Sequence, residues 1–169
     1  MRSKKAVSPL IATVLLIAFA VALGAVVMNW GRSYVEDTAK FAKEKSNTEI
    51  KCSTDVRMDF LKVKDEKRIC YSNSTDPKYL EFFIENRGMS DIYGLQVNII
   101  GGDEVNITDL DLKDNPIKRS RIYKMAELNY TDDINVVEQV NIIPKIKIEG
   151  AVISCPANSL EIEDINECD

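Results

Sequence analysis

Four cysteines and three N-x-S/T triplets are the residues here whose types and spacing allow chemistry. The cysteines are Cys52, Cys70, Cys155 and Cys168. An even number of thiols in an oxidising compartment reads as two disulfides, and sequence alone leaves three connectivities open. Cys52–Cys70 with Cys155–Cys168 is favoured, because each bond closes a local loop worth ~3 kcal/mol on the loop-entropy argument. The second bond would tie the tail, Ala157 to Glu167, to a strand ending at Cys155. Zinc is the rival use, but the chain has no C-x-x-C pair and no His. Free buried thiols are the third reading. The triplets Asn73-Ser74-Thr75, Asn106-Ile107-Thr108 and Asn129-Tyr130-Thr131 are candidate glycan acceptors in an exterior protein. Asn73 stands in a polar turn ending at Pro77 and is the best placed of the three.

Other chemistry is not supported. G-x-S-x-G, P-loop and G-x-G-x-x-G motifs do not occur. The acidic groups Asp109-Leu110-Asp111 and Asp132-Asp133 lack the oxygen-ligand spacing of a calcium loop and read as solvated. The basic run Lys118-Arg119-Ser120-Arg121 reads as solvated or paired with nearby acids. No catalytic constellation, metal site or cofactor motif is visible, so an enzyme is not expected. A net charge of -5 and a pI of about 4.9 give no nucleic-acid footprint.

The charge is unevenly spread, and that division defines the elements. Residues 1–46 hold seven Lys/Arg against three acids, a net +4, and the remainder holds 15 against 24, a net -9. Leu10 to Met28 is a 19-residue run without charge, as long as a bilayer core requires at ~20 residues. Arg2, Lys4 and Lys5 precede it, which places the N-terminus in the cytoplasm and the remainder outside. Trp30 and Tyr34 follow the run, where interfacial aromatics belong. Pro9 suits a first helical turn, with Ser8 as its cap. Beyond Met28, Tyr34, Val35, Thr38, Phe41 and Ala42 share one helical face, and Glu36, Asp37, Lys40, Lys43 and Glu44 the other. The expected helix runs from about Pro9 to about Lys45, with Gly31 as a candidate bend. Small residues such as Ala18, Ala22 and Gly24 permit close helix approach.

Three readings of this segment compete: a secretory signal peptide, a plain signal-anchor and a pilin-type N-terminus. The stretch Lys4-Lys5-Ala6-Val7-Ser8-Pro9-Leu10-Ile11 resembles the class III signal peptides of archaeal type IV pilins and archaellins. The resemblance covers residues 4–30. It implies that a prepilin peptidase cuts between Ala6 and Val7, with Lys4, Lys5, Ala6 and Val7 as the recognition site. Bacterial pilins carry a glutamate at the fifth mature position; here it is Ile11. The resemblance further implies a homopolymer of identical subunits, an assembly machinery, a membrane-held precursor and an adhesive surface filament. A rival function is an anchored exterior binding module that shares the leader and does not polymerise.

From about Asn47 the period changes. Strands are expected at Val56–Val63, Tyr79–Glu85, Ile92–Ile100, Val105–Thr108, Arg121–Met125, Gln139–Ile143 and Lys145–Ile153, with an eighth candidate at Leu160–Ile165. Seven or so short strands spaced by ~10 residues suggest a sandwich. The Asn86-Arg87-Gly88 turn resembles a step common in archaeal surface sandwiches. The expected fold class is therefore α+β: a cleaved leader 1–6, a hydrophobic then amphipathic helix 7–46, and an exterior Ig-like β-sandwich 47–169.

Overall fold

The computed structural model describes residues 9–75, 77–131 and 133–168. These form one long helix, α1 (Pro9–Asp55), followed by a domain of antiparallel strands. The chain divides into two compact units between Ser46 and Asn47, and the last turns of α1 belong to the second. The helix is uninterrupted through Gly24 and Gly31. It also runs ten residues beyond the expected end at Lys45. Ser46, Asn47 and Thr48 are indifferent helix formers, but Cys52 is buried against the sandwich, and tertiary burial overrides the local preference.

The strands are β1 (Met58–Phe60), β2 (Lys62–Val63), β3 (Glu66–Lys67), β4 (Ile69–Ser72), β5 (Tyr79–Asn86), β6 (Ile92–Gly101), β7 (Glu104–Asp111), β8 (Ile122–Asn129), β9 (Gln139–Ile148), β10 (Ala151–Ser154) and β11 (Leu160–Glu163). β2 and β3 form a small separate hairpin. In the first large sheet, β8 lies along one edge of β5, and β1 and β4 share the other edge end to end. In the second, the order is β7, β6, β9, with β10 and β11 end to end along the outer edge of β9. The alternating positions of the long strands explain the packing. Leu80, Phe82 and Ile84 of β5 meet Leu95, Val97 and Ile99 of β6 and Val140 and Ile142 of β9 in one core. These side chains are essentially inaccessible to solvent. The fold is thus α+β, an apolar helix followed by a sandwich-like domain.

Three details differ from the sequence reading. β4 was not expected, being only four residues between charged and polar runs. The run Val56–Val63 breaks into buried Val56, β1 and β2. The segments expected on either side of Pro144 form one strand, and the turn falls instead at Glu149 and Gly150, both with positive φ. Proline costs β9 nothing here. The Pro144 carbonyl accepts from the Cys155 N–H at 2.9 Å on the outer edge. The N–H that proline lacks would point to that same edge, between β10 and β11, so Pro144 keeps its pairing with Leu95 of β6.

Candidate functional site

The apolar helix is the first candidate. Val14, Leu15, Leu16 and Ile17 cover a full turn and are 60%, 63%, 72% and 62% exposed. Among the described residues, none covers any side of this turn. By length and composition it is able to cross a membrane. Beyond the apolar run, Trp30 and Tyr34 stack with ring centroids 5.8 Å apart. Arg32 and Glu36 pair across one turn at 3.0 Å. The leader residues Lys4, Lys5, Ala6 and Val7 lie outside the described residues.

The end of α1 is held in the sandwich by covalent and polar contacts. Cys52 bonds Cys155, with Cα atoms 5.4 Å apart. Cys52, Val56, Ile146, Ile148 and Cys155 form a small second core. The terminal Asp55 carbonyl accepts from the N–H groups of Met89 (2.7 Å) and Ser90 (3.0 Å). These satisfy a carbonyl that a helix end otherwise leaves unpaired. Gly88 makes the approach possible, because a Cβ there would lie 2.4 Å from the Asp55 oxygen. The loop is fixed by buried Asn86, whose Nδ2 donates to the carbonyls of Ser90 and Ile117, each at 2.9 Å. Its Oδ1 accepts from the Gly88 N–H at 3.0 Å. The Asn86-Arg87-Gly88 signal was legible as a turn; its role as the receiver of the helix was not.

The second disulfide joins Cys70 to Cys168, with Cα atoms 5.0 Å apart. The favoured local pairs, Cys52–Cys70 and Cys155–Cys168, are therefore corrected: both bonds are long-range, spanning 103 and 98 residues. Nearness in sequence failed as a guide because β4 and β10 belong to different sheets. The C-terminal tail leaves β11 in the second sheet and reaches β4 in the first. There the Tyr71 N–H donates to the Asn166 carbonyl at 3.1 Å, and the Cys168 N–H donates to the Tyr71 carbonyl at 2.8 Å. The tail thus straps the two sheets together, and Cys70–Cys168 fastens it.

The three sequons are not equivalent. Asn73, favoured from sequence, is half-buried, and its Nδ2 donates to the Asn135 carbonyl (3.0 Å) and Glu167 Oε1 (3.2 Å). Asn106 pairs with core residue Ile99 across the β6–β7 ladder, so it lies on the inner face of its sheet. Its Oδ1 accepts from Thr108 Oγ1 at 3.0 Å. Asn129 is exposed at the end of β8. Beside it, buried Tyr130 donates its hydroxyl to the Ser72 carbonyl at 3.3 Å. Burial first, then the nearby Tyr71 and Glu167, pushes the Tyr130 phenol up to about 12.

The remaining charged groups resolve as follows. Asp109 pairs with Lys145 at 2.5 Å and Asp111 with Lys113 at 2.7 Å, while Asp132 lies outside the described residues. Among the described residues no group of His, Cys, Asp or Glu is placed to hold a metal ion. A cleft of about 680 Å³ lies beside the Cys70–Cys168 bond, bordered by Arg68, Glu81, Phe83, Asp164 and Glu167. Lys124 reaches over the Phe83 ring, 5.1 Å from its centroid. Compared with protein families, curated proteins and solved structures, the chain finds no match.

Proposed function

We propose that the chain is the structural subunit of an archaeal type IV pilus-like extracellular filament of adhesive purpose. Its precursor is held in the membrane by α1. A prepilin peptidase cuts between Ala6 and Val7, and the trimmed subunits assemble through their helices with the sandwich outward. The observation that carries this reading is the exposure, on every side, of the apolar turn Val14 to Ile17 on a helix whose far end is bonded into the sandwich. Such a surface demands apolar surroundings on every side. Lipid meets that demand in the precursor, and neighbouring helices meet it in a filament.

Removing the leader also makes physical sense. Lys4 and Lys5 suit the cytoplasmic face of a membrane, but an unpaired charge packed into an apolar axis loses its solvation. Helices leaving lipid gain little from burial as such, so cohesion in the axis comes from close packing at small residues. The two long-range disulfides support an exterior sandwich, because such bonds persist in oxidising surroundings.

The test is the intact mass and N-terminal sequence of the chain from sheared surface filaments and, separately, from membranes. A chain beginning at Val7 and enriched in filaments is the expected result. A chain beginning at Val7 but confined to membranes would replace the filament with the anchored binding module, for which the cleft beside Cys70–Cys168 is the candidate site. An uncut chain would leave a plain signal-anchor. Ala6→Asp should block trimming and filament formation together.

A further inference from the structure

We infer that neighbouring subunits join through their sandwiches as well as their helices, the free edge of β7 on one copy pairing with the free edge of β8 on the next. This rests on the filament reading above and names the second contact within it.

Among the described residues β7 pairs only with β6, and β8 only with β5. Each strand therefore presents a row of unpaired N–H and C=O groups along one edge, a template for another strand. Isolated sandwiches blunt such edges with short strands, bulges or proline. β7 has none of these. Its eight residues run in unbroken register from Gly101↔Glu104 to Gly94↔Asp111. Val105 and Ile107 on its outer face are 54% and 63% exposed. β8 has a register irregularity opposite Leu80 and Phe82, so its regular free edge is the first half, Ile122 to Met125, where outer-face Ile122 is 56% exposed.

The charges select which edge meets which. Asp103 and Glu104, at the start of β7, are exposed and have no ion-pair partner among the described residues. The side chains of Lys118, Arg119 and Arg121, just ahead of β8, are likewise exposed and without an acidic partner there. One domain thus carries an acidic free edge and a basic free edge. Two β7 edges would set acid against acid and two parallel β8 edges base against base, whereas β7 against β8 brings opposite charges together. Because both clusters stand at strand starts, the two strands lie parallel, with Val105 beside Ile122. A contact between unlike patches is head-to-tail and does not close on itself unless the rotation returns to the start. It is the kind of contact an open helical polymer requires.

The test uses charge reversal in the full chain, read as the fraction recovered in sheared filaments against that in membranes. One variant carries Asp103→Lys and Glu104→Lys, a second Lys118→Glu, Arg119→Glu and Arg121→Glu, and a third all five. Each partial reversal should cut the filament fraction at least about tenfold, since like charges placed opposite each other cost several kcal/mol. The five-fold reversal should restore it, which also shows that the altered residues leave folding intact. Filament yield unchanged by either partial reversal overturns the β7–β8 contact while leaving the filament reading in place, as does failure of the combined variant to recover. A wild-type chain that forms no filaments overturns both.

Discussion

The two regions of this chain keep their apolar residues in opposite places. In α1, Leu16 and Met28 are 72% and 79% exposed, whereas in the sandwich Leu80, Phe82 and Leu95 are 0% exposed. The sandwich supplies its own apolar environment by packing two sheets face to face. The helix has none and takes it from elsewhere. The difference separates two kinds of stability. The sandwich carries its fold with it, and the helix is only as stable as whatever apolar surroundings it meets. Substitutions in one region should therefore leave the other unmoved, which makes the contrast open to experiment.

The largest effect should come from the bond that holds the last turns of α1 to the strands of the same unit. Replacing Cys52 and Cys155 together by Ala removes a link spanning 103 residues, worth ~4–5 kcal/mol on the loop-entropy argument. Chemical unfolding of the sandwich should shift by that amount while far-UV helicity of the apolar run in detergent persists; an unshifted midpoint would deny the bond its role. Next, Phe82→Ala opens a cavity in the closed core and should cost ~4 kcal/mol. Insertion into membranes should not change, and a drop in the membrane fraction would show that the regions are coupled. The reciprocal change is Leu16→Arg. An arginine near the middle of a span costs ~3 kcal/mol on insertion scales, roughly a hundredfold in the inserted fraction. The melting temperature of the sandwich should stay where it was.

The same contrast explains what could be read from sequence. The apolar run was legible because a uniformly apolar helix needs no knowledge of its partners. β5 was legible because one buried face imposes strict alternation, as in Leu80, Phe82 and Ile84, and β6 because it alternates likewise from Leu95 onward. The extension of α1 to Asp55 was not, since it depends on a pocket formed by Ile146, Ile148 and Cys155 far along the chain. The continuity of β9 through Pro144 depends on a gap between two short edge strands. The cysteine pairing depends on which sheet each strand joins, and local loop length carries no information about that. Of the three sequons, motif alone could not tell the engaged amide of Asn73 from the exposed Asn129. In each case the missing information is long-range.

Gly88 sharpens the junction further. Its φ lies outside the left-handed region, so alanine there is free of backbone strain. A methyl group would still meet the Asp55 carbonyl and the Arg57 nitrogen, 2.4 and 2.7 Å away. Gly88→Ala should destabilise the sandwich by ~2 kcal/mol through overpacking. Loss of slow amide exchange should be confined to the Met89 and Ser90 N–H groups and the end of α1. Exchange that quickens evenly across both sheets would show instead that the loop belongs to the core.

The smallest effect isolates the sandwich alone, through pH. Tyr130 titrates at about 12 in the folded chain, against ~10 for an ordinary tyrosine. The folded state holds this proton more tightly, so the unfolded chain ionises first. The stabilisation is therefore whole below pH ~10 and lost as the pH climbs to about 12. Burial pushes Tyr71 in the same direction, with Glu167 adding to it, so the alkaline loss should be steeper than one group gives. Tyr130→Phe removes a hydroxyl bonded to the Ser72 carbonyl at 3.3 Å. It should cost ~1 kcal/mol at neutral pH and make the loss above pH ~10 shallower. Denaturant unfolding of wild type and variant across this range should bring the two stabilities together at high pH. Curves that stay parallel would mean that Tyr130 ionises as freely folded as unfolded, and that the tail fastened by Cys168 does not seal this part of the core.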